Sequence, residues 1–278
     1  SFAAAWGSRF VKRRRATLLF GIFVIAGAIL LGRNVAITLG KGLIPQQLLD
    51  INTTLAILTA ASVSLFMANI LKIPQSTSQV TIGAIVGAGL YFKHIYLKIF
   101  FLKILPMWIA LPFLSYFLTL VIYGAIYPPE HGNLHIYEKL FAHEKRLKWS
   151  SVAVSCYVAF AIGSNNVANA VGPLSGARLV NITFGILSIA PLFGIGALVM
   201  GNRILETAGR DIVPLGLISS TLVSVITATL LIVASMLGIP QSLVQLNMAS
   251  IFAISCLKNG HKCTLDQHVT KKTFFVWA

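Results

Sequence analysis

Residues 163–173 read Gly-Ser-Asn-Asn-Val-Ala-Asn-Ala-Val-Gly-Pro, and apolar runs flank them at residues 152–162 and 179–200. An asparagine side chain is costly in hydrocarbon unless its amide finds partners, so we expect the three asparagines to face protein, water or a ligand. The glycines and Pro173 predict a helix that breaks here and frees backbone groups for binding. Alternatively, the asparagines hold neighbouring helices together, and the stretch alone does not decide between the two interpretations.

The composition of the chain indicates a polytopic membrane protein. Of its 278 residues, 56% are hydrophobic and only 10% are charged, and the mean hydropathy is +0.83. A soluble domain of this size carries roughly a quarter charged residues. We therefore expect a multi-pass protein of the cell (inner) membrane, surrounded by the lipid bilayer.

The net charge of +15 would suggest a nucleic-acid partner in a soluble protein. Here the basic residues lie between apolar segments, where they set orientation in the membrane, so we expect no nucleic-acid partner. The acidic residues all lie in or near loops, which limits any mechanism that relies on a buried carboxylate. No nucleophile–base pair, nucleotide loop or metal cluster stands out in the sequence, so we expect neither an enzyme nor a cofactor.

The apolar segments are predicted to be helices, some of them shorter than the roughly 20 residues that span a bilayer. They comprise residues 16–31, 55–71, 80–90, 104–127, 152–171, 179–200, 212–237 and 246–257. A Pro-Gln-Ser break precedes each of two short segments, 80–90 and 246–257, which we interpret as half-helices. Small packing positions are predicted at Gly21, Gly27 and Gly32, and the spacing of Gly83 and Gly87 predicts close approach of another backbone.

Several motifs occur twice. Ile73-Pro-Gln-Ser recurs as Ile239-Pro-Gln-Ser, and Gly32, Thr38, Gly40 and Pro45 recur as Gly201, Thr207, Gly209 and Pro214. If every segment crosses the membrane, an odd number of segments separates the copies, so the second copy is inverted. Lys and Arg then concentrate on the side of the long polar loop, which the positive-inside rule places in the cytoplasm.

The predicted fold is therefore an all-α, polytopic transmembrane helical bundle with inverted repeats and broken or re-entrant half-helices. Residues 1–127 form the first membrane repeat, 128–149 the cytoplasmic loop and 150–278 the second, inverted repeat. We expect the start of the first repeat and the end of the second to be missing from this chain.

A half-helix that begins inside the membrane directs unpaired N–H groups and a positive dipole end towards its start, where anions bind readily. Hydroxyl and amide groups at both breaks form a neutral donor set that suits a partly dehydrated tetrahedral oxyanion. The alternative is ordinary helix capping by serine and threonine. The candidate substrate-binding residues are Gln75, Ser76, Thr77, Ser78, Gln79, Asn165, Asn166, Asn169, Gln241, Ser242 and Gln245.

Two of these stretches resemble a known family. Residues 163–173 are similar to the Gly-Ala-Asn-Asp-Val-Ala-Asn-Ala signature of the inorganic phosphate transporter (PiT) family, and Pro74-Gln-Ser-Thr-Ser-Gln79 resembles its Pro-x-Ser-Thr-Thr-His break. Residues 159–174, 201–207 and 43–86 look closest to the bacterial sulfate permeases within that family.

The resemblance implies secondary active transport of phosphate or sulfate, coupled to Na⁺ or H⁺, with substrate contacts from the signature regions and both breaks. Asn166 replaces the acid of the family signature, and Gln79 replaces its histidine. Both departures favour a proton-coupled sulfate symporter over sodium–phosphate symport, which stays open as the alternative. An anion channel or a non-transporting receptor is a second alternative, and a homodimer also stays open.

Overall fold

A computed structural model of the chain describes residues 13–71, 75–127, 144–211 and 216–259. These residues form helices and contain no β-strand, which confirms the all-α prediction for the described part of the chain. A 3₁₀ turn at Gln46–Leu48 precedes α2, and a π-helical turn at Phe100–Ile104 joins α4 to α5. The α-helices are α1 (Arg13–Lys41), α2 (Ile51–Ile70), α3 (Thr77–Tyr91), α4 (Leu97–Ile99), α5 (Leu105–Gly124), α6 (Glu144–Asn166), α7 (Ala168–Gly176), α8 (Ile182–Asp211), α9 (Leu217–Met236) and α10 (Leu243–Asn259).

Five helical stretches among the described residues are long and apolar enough to cross a membrane. They are Arg14–Lys41, Ile51–Ile70, Leu97–Gly124, Arg146–Gly176 and Ile218–Met236. Large apolar side chains such as Phe113 and Val121 are exposed along these helices, as expected for surfaces that contact lipid. The fold is a polytopic helical bundle, as the sequence predicts.

Not every predicted feature falls on described residues. Most of the cytoplasmic loop predicted at 128–149 lies outside them, as do residues 1–12, 72–74, 212–215 and 260–278. The inverted relation of the two repeats stays a prediction. The half-helices predicted after the two breaks are observed as α3 and α10, which have 15 and 17 residues.

The break predicted at residues 163–173 is much smaller than expected. Only Val167 separates α6 from α7, and its dihedral angles (φ −61°, ψ −34°) are those of a right-handed helix. Pro173 lies inside α7. The predicted break is therefore observed only as a one-residue interruption at Val167. That it frees backbone groups for binding stays a prediction.

Helix α1 packs directly on the backbone of α6 and α7. A Cβ atom added at Gly27 would overlap the carbonyl oxygen of Phe160, and one added at Gly163 would overlap that of Val24. Further along, a Cβ atom at Gly40 would lie 2.5 Å from the carbonyl oxygen of Gly172. Glycine is therefore required at these crossings, which confirms the packing role predicted for Gly27.

The predicted close approach at Gly83 and Gly87 was wrong. Both glycines are exposed on α3, and a Cβ atom added to either would meet nothing within 4 Å among the described residues. Spacing alone cannot distinguish a glycine pair that faces a neighbouring helix from one that faces outwards.

We predict that Gly27→Ala will destabilise the protein by about 1–3 kcal/mol, because the new methyl group forces α1 away from α6. Gly83→Ala is the matched control in open space, and it should be neutral or stabilising, since alanine is the better helix former. Thermal unfolding of the two variants in detergent measures the difference. Equal melting temperatures would contradict the close contact between α1 and α6.

Candidate functional site

The two short helices α3 and α10 begin in the same way. Ser76 Oγ accepts a hydrogen bond from the Gln79 backbone N–H (3.3 Å), and Ser242 Oγ accepts one from the Gln245 N–H (3.2 Å). Both serines are buried. Each is thus an N-cap, so the capping interpretation is correct for these two hydroxyl oxygens. Capping uses the serine oxygen as an acceptor. It leaves the hydroxyl proton and the other N–H groups of each first turn available as donors.

Asn165 connects the end of α6 to both of these helix starts. Its Nδ2 group donates to Ser235 Oγ and to the Ile239 carbonyl, both at 3.0 Å. Its Oδ1 atom accepts from the Gln241 N–H (3.1 Å) and from Ser78 Oγ (3.4 Å). The side chain is completely buried, and these four bonds use its full hydrogen-bonding capacity. Asn165 therefore acts as a clamp, and a ligand could contact it only by displacing one of the four partners.

Ser78 joins the start of α3 to the segment before α10. Besides Asn165 Oδ1, its hydroxyl group lies 3.2 Å from the carbonyl oxygen of Gln241, so one proton is shared between two acceptors. Ser78 Oγ also accepts a bond from Asn169 Nδ2 (3.3 Å). The residue is fully buried. Through Ser78, residues 87 or more positions apart meet in one network.

Asn169 also joins this network, as the second of the three signature asparagines to do so after Asn165. Its Nδ2 group donates to Thr77 Oγ1 and to Ser78 Oγ, both at 3.3 Å. Its Oδ1 atom is buried and has no hydrogen-bond partner among the described residues. The Nδ2 group of Asn169 thus holds α3 in place, while its Oδ1 atom accepts no hydrogen bond from the described residues.

The carboxamides at the start of α10 are also unpaired. Gln241 is fully buried, and neither its Oε1 nor its Nε2 atom has a partner in the described part of the chain. The Oε1 atom of Gln245 is likewise buried and unpartnered. A buried polar group without a partner costs about 1–3 kcal/mol, so native proteins rarely keep one without a reason such as a bound ligand or water. These atoms, together with Asn169 Oδ1, identify the candidate binding site.

The remaining predicted residues lie at the edge of this network or away from it. Gln75 Nε2 donates to Ser64 Oγ on α2 (3.3 Å), so its amide is used between α2 and α3. Thr77 is half-buried and accepts from Asn169. Gln79 and Asn166 are half-buried, and neither side chain forms a hydrogen bond with another described residue. The structure therefore brings together part of the predicted set and leaves Gln75 turned towards α2.

Two residues that the sequence did not single out hold the site in place. Ser235 on α9 accepts from Asn165, and Trp108 on α5 donates from Nε1 to the Pro240 carbonyl (2.8 Å). Serine in an apolar helix and tryptophan in a membrane span are common, so the sequence offers no signal that marks these two. Their role follows only from where their helices pack.

The network is electrically neutral. Each side chain named in it is a hydroxyl, a carboxamide or an indole, and the described residues contain no group of three or more His, Cys, Asp or Glu side chains suited to a metal ion. Electrostatic attraction of an anion at this site would come from helix N-termini, each equivalent to roughly +0.5 of an elementary charge.

The whole chain, residues 1–278, matches the phosphate transporter family. It belongs to this family. It is 34% identical to the sulfate permease CysP of Bacillus subtilis (strain 168), an alignment that covers the whole chain and 77% of that relative. It is 26% identical to a putative phosphate permease of Thermococcus kodakarensis, covering the whole chain and 87% of the relative. The resemblance to the phosphate transporter family is therefore confirmed, and the chain is a multi-pass membrane transporter.

A solved structure supports the fold. The chain superimposes on a structure described as the sodium-dependent phosphate transporter with a TM-score of 0.81. The match covers the whole chain and 88% of the solved one, at 24% sequence identity. This similarity confirms the helical fold.

We predict that Asn165→Ala will destabilise the protein by more than about 2 kcal/mol, because several buried polar groups lose their partners at once. Asn166→Ala is the matched control, since the neighbouring side chain is half-buried and makes no such bonds. Thermal unfolding in detergent compares the two. If both variants melt together with the wild type, Asn165 is not the clamp that its geometry indicates.

Proposed function

We propose that the protein is a symporter of a tetrahedral inorganic oxyanion, sulfate before phosphate, and that protons drive the transport. The observation that carries this proposal is the buried, unpaired carboxamide of Gln241 beside the start of α10. Its backbone is tied to Ser78 in the first turn of α3, so the unpaired amide lies next to two helix starts.

The donor set suits an oxyanion. The N–H groups that open α3 and α10, the hydroxyl protons of Ser76 and Ser242 and the amide of Gln241 are all neutral donors in a dry environment. A helix N-terminus binds anions readily because its dipole favours negative charge. Four oxygens of a tetrahedral anion can accept from several of these groups at once.

Coupling to a cation follows from the same charges. Two helix N-termini supply roughly one elementary positive charge in total, which leaves a doubly charged anion incompletely neutralised in a low-dielectric site. A cation that binds together with the anion removes this deficit. Symport is therefore more favourable than movement of the anion alone.

Protons are preferred to sodium as that cation because an acidic sodium ligand is missing. Asn166 and Gln79 are neutral where the family signature has an acid and a histidine, and a missing acid removes one attractive sodium ligand. Sulfate is preferred to phosphate as the anion because the relative that is 34% identical over the whole chain is named a sulfate permease. No side chain of the network titrates near neutral pH, so the proposal does not route the proton through any of them.

One observation favours a second candidate function, sodium-coupled phosphate symport. Three amide oxygens, Asn169 Oδ1, Gln241 Oε1 and Gln245 Oε1, are buried and accept no hydrogen bond from any described residue. Oxygen atoms of this kind are the ligands that a hard cation prefers. They could also accept from the hydroxyl groups of a protonated phosphate. The two candidates are separated by transport measurements.

We expect full-length protein in proteoliposomes to accumulate labelled sulfate when the outside is made acidic. A gradient of about one pH unit supplies about 1.4 kcal/mol for each proton that enters with the anion, and 1.4 kcal/mol corresponds to a factor of ten in concentration. We therefore expect roughly tenfold accumulation of sulfate per coupled proton. A protonophore and protein-free liposomes are the controls. Uptake that ignores the pH gradient, or that requires Na⁺, would contradict proton coupling.

Two further measurements separate the remaining alternatives. Strong inhibition of sulfate uptake by an equal concentration of phosphate would favour the sodium–phosphate candidate. Counterflow, in which unlabelled internal sulfate drives uptake of the label, is expected of a carrier and would be absent from a receptor. A conductance that is not explained by coupled transport would instead indicate a channel.

We predict that Gln241→Leu will weaken sulfate binding by about 1–3 kcal/mol while leaving the ligand-free protein at least as stable as the wild type. The stability expectation follows because leucine replaces two unpaired buried polar atoms with an apolar group of similar volume. Gln75→Leu is the control, because its amide is bound to Ser64 and lies away from the network. Sulfate-dependent thermal shifts measure both effects, and unchanged sulfate binding by Gln241→Leu would remove this residue from the site.

A further inference from the structure

The end of α9 and the segment that follows it, residues 236–241, are held in place through their backbone carbonyl groups. Gly238, at φ +68°, turns the chain out of α9, and the carbonyls around it cannot form helical hydrogen bonds. Side chains from four different helices replace those bonds. The pairs are Asn34 Nδ2 with Met236 O (3.0 Å), Asn165 Nδ2 with Ile239 O (3.0 Å), Trp108 Nε1 with Pro240 O (2.8 Å) and Ser78 Oγ with Gln241 O (3.2 Å).

The bond from Trp108 on α5 is the shortest of the four. Its indole ring packs edge-to-face on Phe100 in the π-helical turn, with ring centroids 6.1 Å apart. The ring is thus held by packing on one side and by the Pro240 carbonyl on the other. A donor fixed in this way restricts where the segment before α10 can lie.

Helix α5 also contacts α10 beyond its first residues. Ser115 Oγ donates to the Leu246 carbonyl (3.0 Å) in the first turn of α10, and it lies 2.7 Å from Ser250 Oγ. Thr119 Oγ1 donates to Ser250 Oγ (2.9 Å). All three hydroxyl residues are completely buried. Trp108 and Ser115 are seven residues apart, which places them on one face of α5, two turns from each other.

We propose that Trp108 and Ser115 are positioning residues for anion binding. From one face of α5 they hold the chain before and after the start of α10, Trp108 at the residue before Gln241 and Ser115 in the first helical turn. Neither side chain needs to touch the anion. This inference rests on the proposed function, because it assumes that the start of α10 binds the transported anion.

The reason that position matters is the geometry of hydrogen bonds. Their energy falls steeply when the angle or distance departs from the optimum, and the donors of α10 must converge with those of α3 on one anion. Asn165 and Ser78 fix the segment from the side of α6 and α3. Without α5, the α10 start would be held only from that side, and its donors would spend less time in the binding arrangement.

The first test compares transport by Trp108→Phe and Ser115→Ala with the wild type in proteoliposomes. Phenylalanine keeps the ring packing on Phe100 and removes only the N–H donor. We expect the KM for sulfate to rise about tenfold in each variant, as the loss of one hydrogen bond to a buried carbonyl predicts, with Vmax within about twofold. An unchanged KM in both variants overturns the inference.

Matched controls separate positioning from general damage to the bundle. Trp149→Phe changes an exposed tryptophan at the start of the α6 span. Thr227→Val removes a buried hydroxyl whose hydrogen bonds, among the described residues, go only to the carbonyls of Val223 and Ser224 in its own helix α9. Both controls should keep the wild-type KM. A KM rise in Thr227→Val equal to that in Ser115→Ala would indicate a merely structural effect and overturn the inference.

The second test does not depend on any transported anion. In full-length protein with Cys156, Cys256 and Cys263 replaced, Gln245→Cys places a thiol in the first turn of α10, where the native side chain is buried. We expect Trp108→Phe to accelerate its labelling by a small methanethiosulfonate reagent at least about fivefold, because a loosened helix start opens more often. An unchanged labelling rate overturns the positioning role. Wild-type protein that moves neither sulfate nor phosphate overturns the proposed function, and the labelling result still decides the role of α5.

Discussion

A chain that leaves a helix in a buried region must find protein partners for the backbone groups it frees, because an unpaired backbone group away from water is costly. In this transporter the segment between α9 and α10 meets that requirement with side chains from α1, α3, α5 and α6. Each partner comes from a distant part of the sequence, so the hydrogen bonds to the carbonyls of this one short segment connect four helices of the bundle. The carboxamide of Asn165 is central, since it binds this segment and the start of α3 at the same time.

The same arrangement separates structural polar groups from candidate ligand-binding groups. Asn165 and Ser78 use their capacity within the protein, while Gln241, Gln245 and Asn169 each keep at least one buried atom without a partner among the described residues. The unpaired carboxamide atoms beside this paired network mark the candidate binding site. Its side chains are carboxamides and hydroxyls, which carry no formal charge.

Close packing positions these groups. Glycines let α1 lie directly on the backbones of α6 and α7, and a methyl group at Gly27 or Gly163 would prevent that approach. Periodicity and composition predicted the apolar helices and the two short helices after the Pro-Gln-Ser breaks, and the serine caps were an alternative interpretation that the structure confirms. These features depend on local chain chemistry. The same reasoning failed at Gly83 and Gly87 and overestimated the break near Pro173, because neighbouring helices and not local sequence decide such features.

The sequence by itself determined that this is a membrane protein of the phosphate transporter family, with polar residues where apolar helices begin. It could do so because hydrophobicity, helix capping and a long signature are properties of contiguous residues. Only the tertiary structure decided that Asn165 is a clamp while the Gln241 amide is unpaired, and that Trp108 and Ser235 support the site. Hydrogen-bond partners 70 or more residues apart are chosen by how helices pack, and no local pattern records that choice.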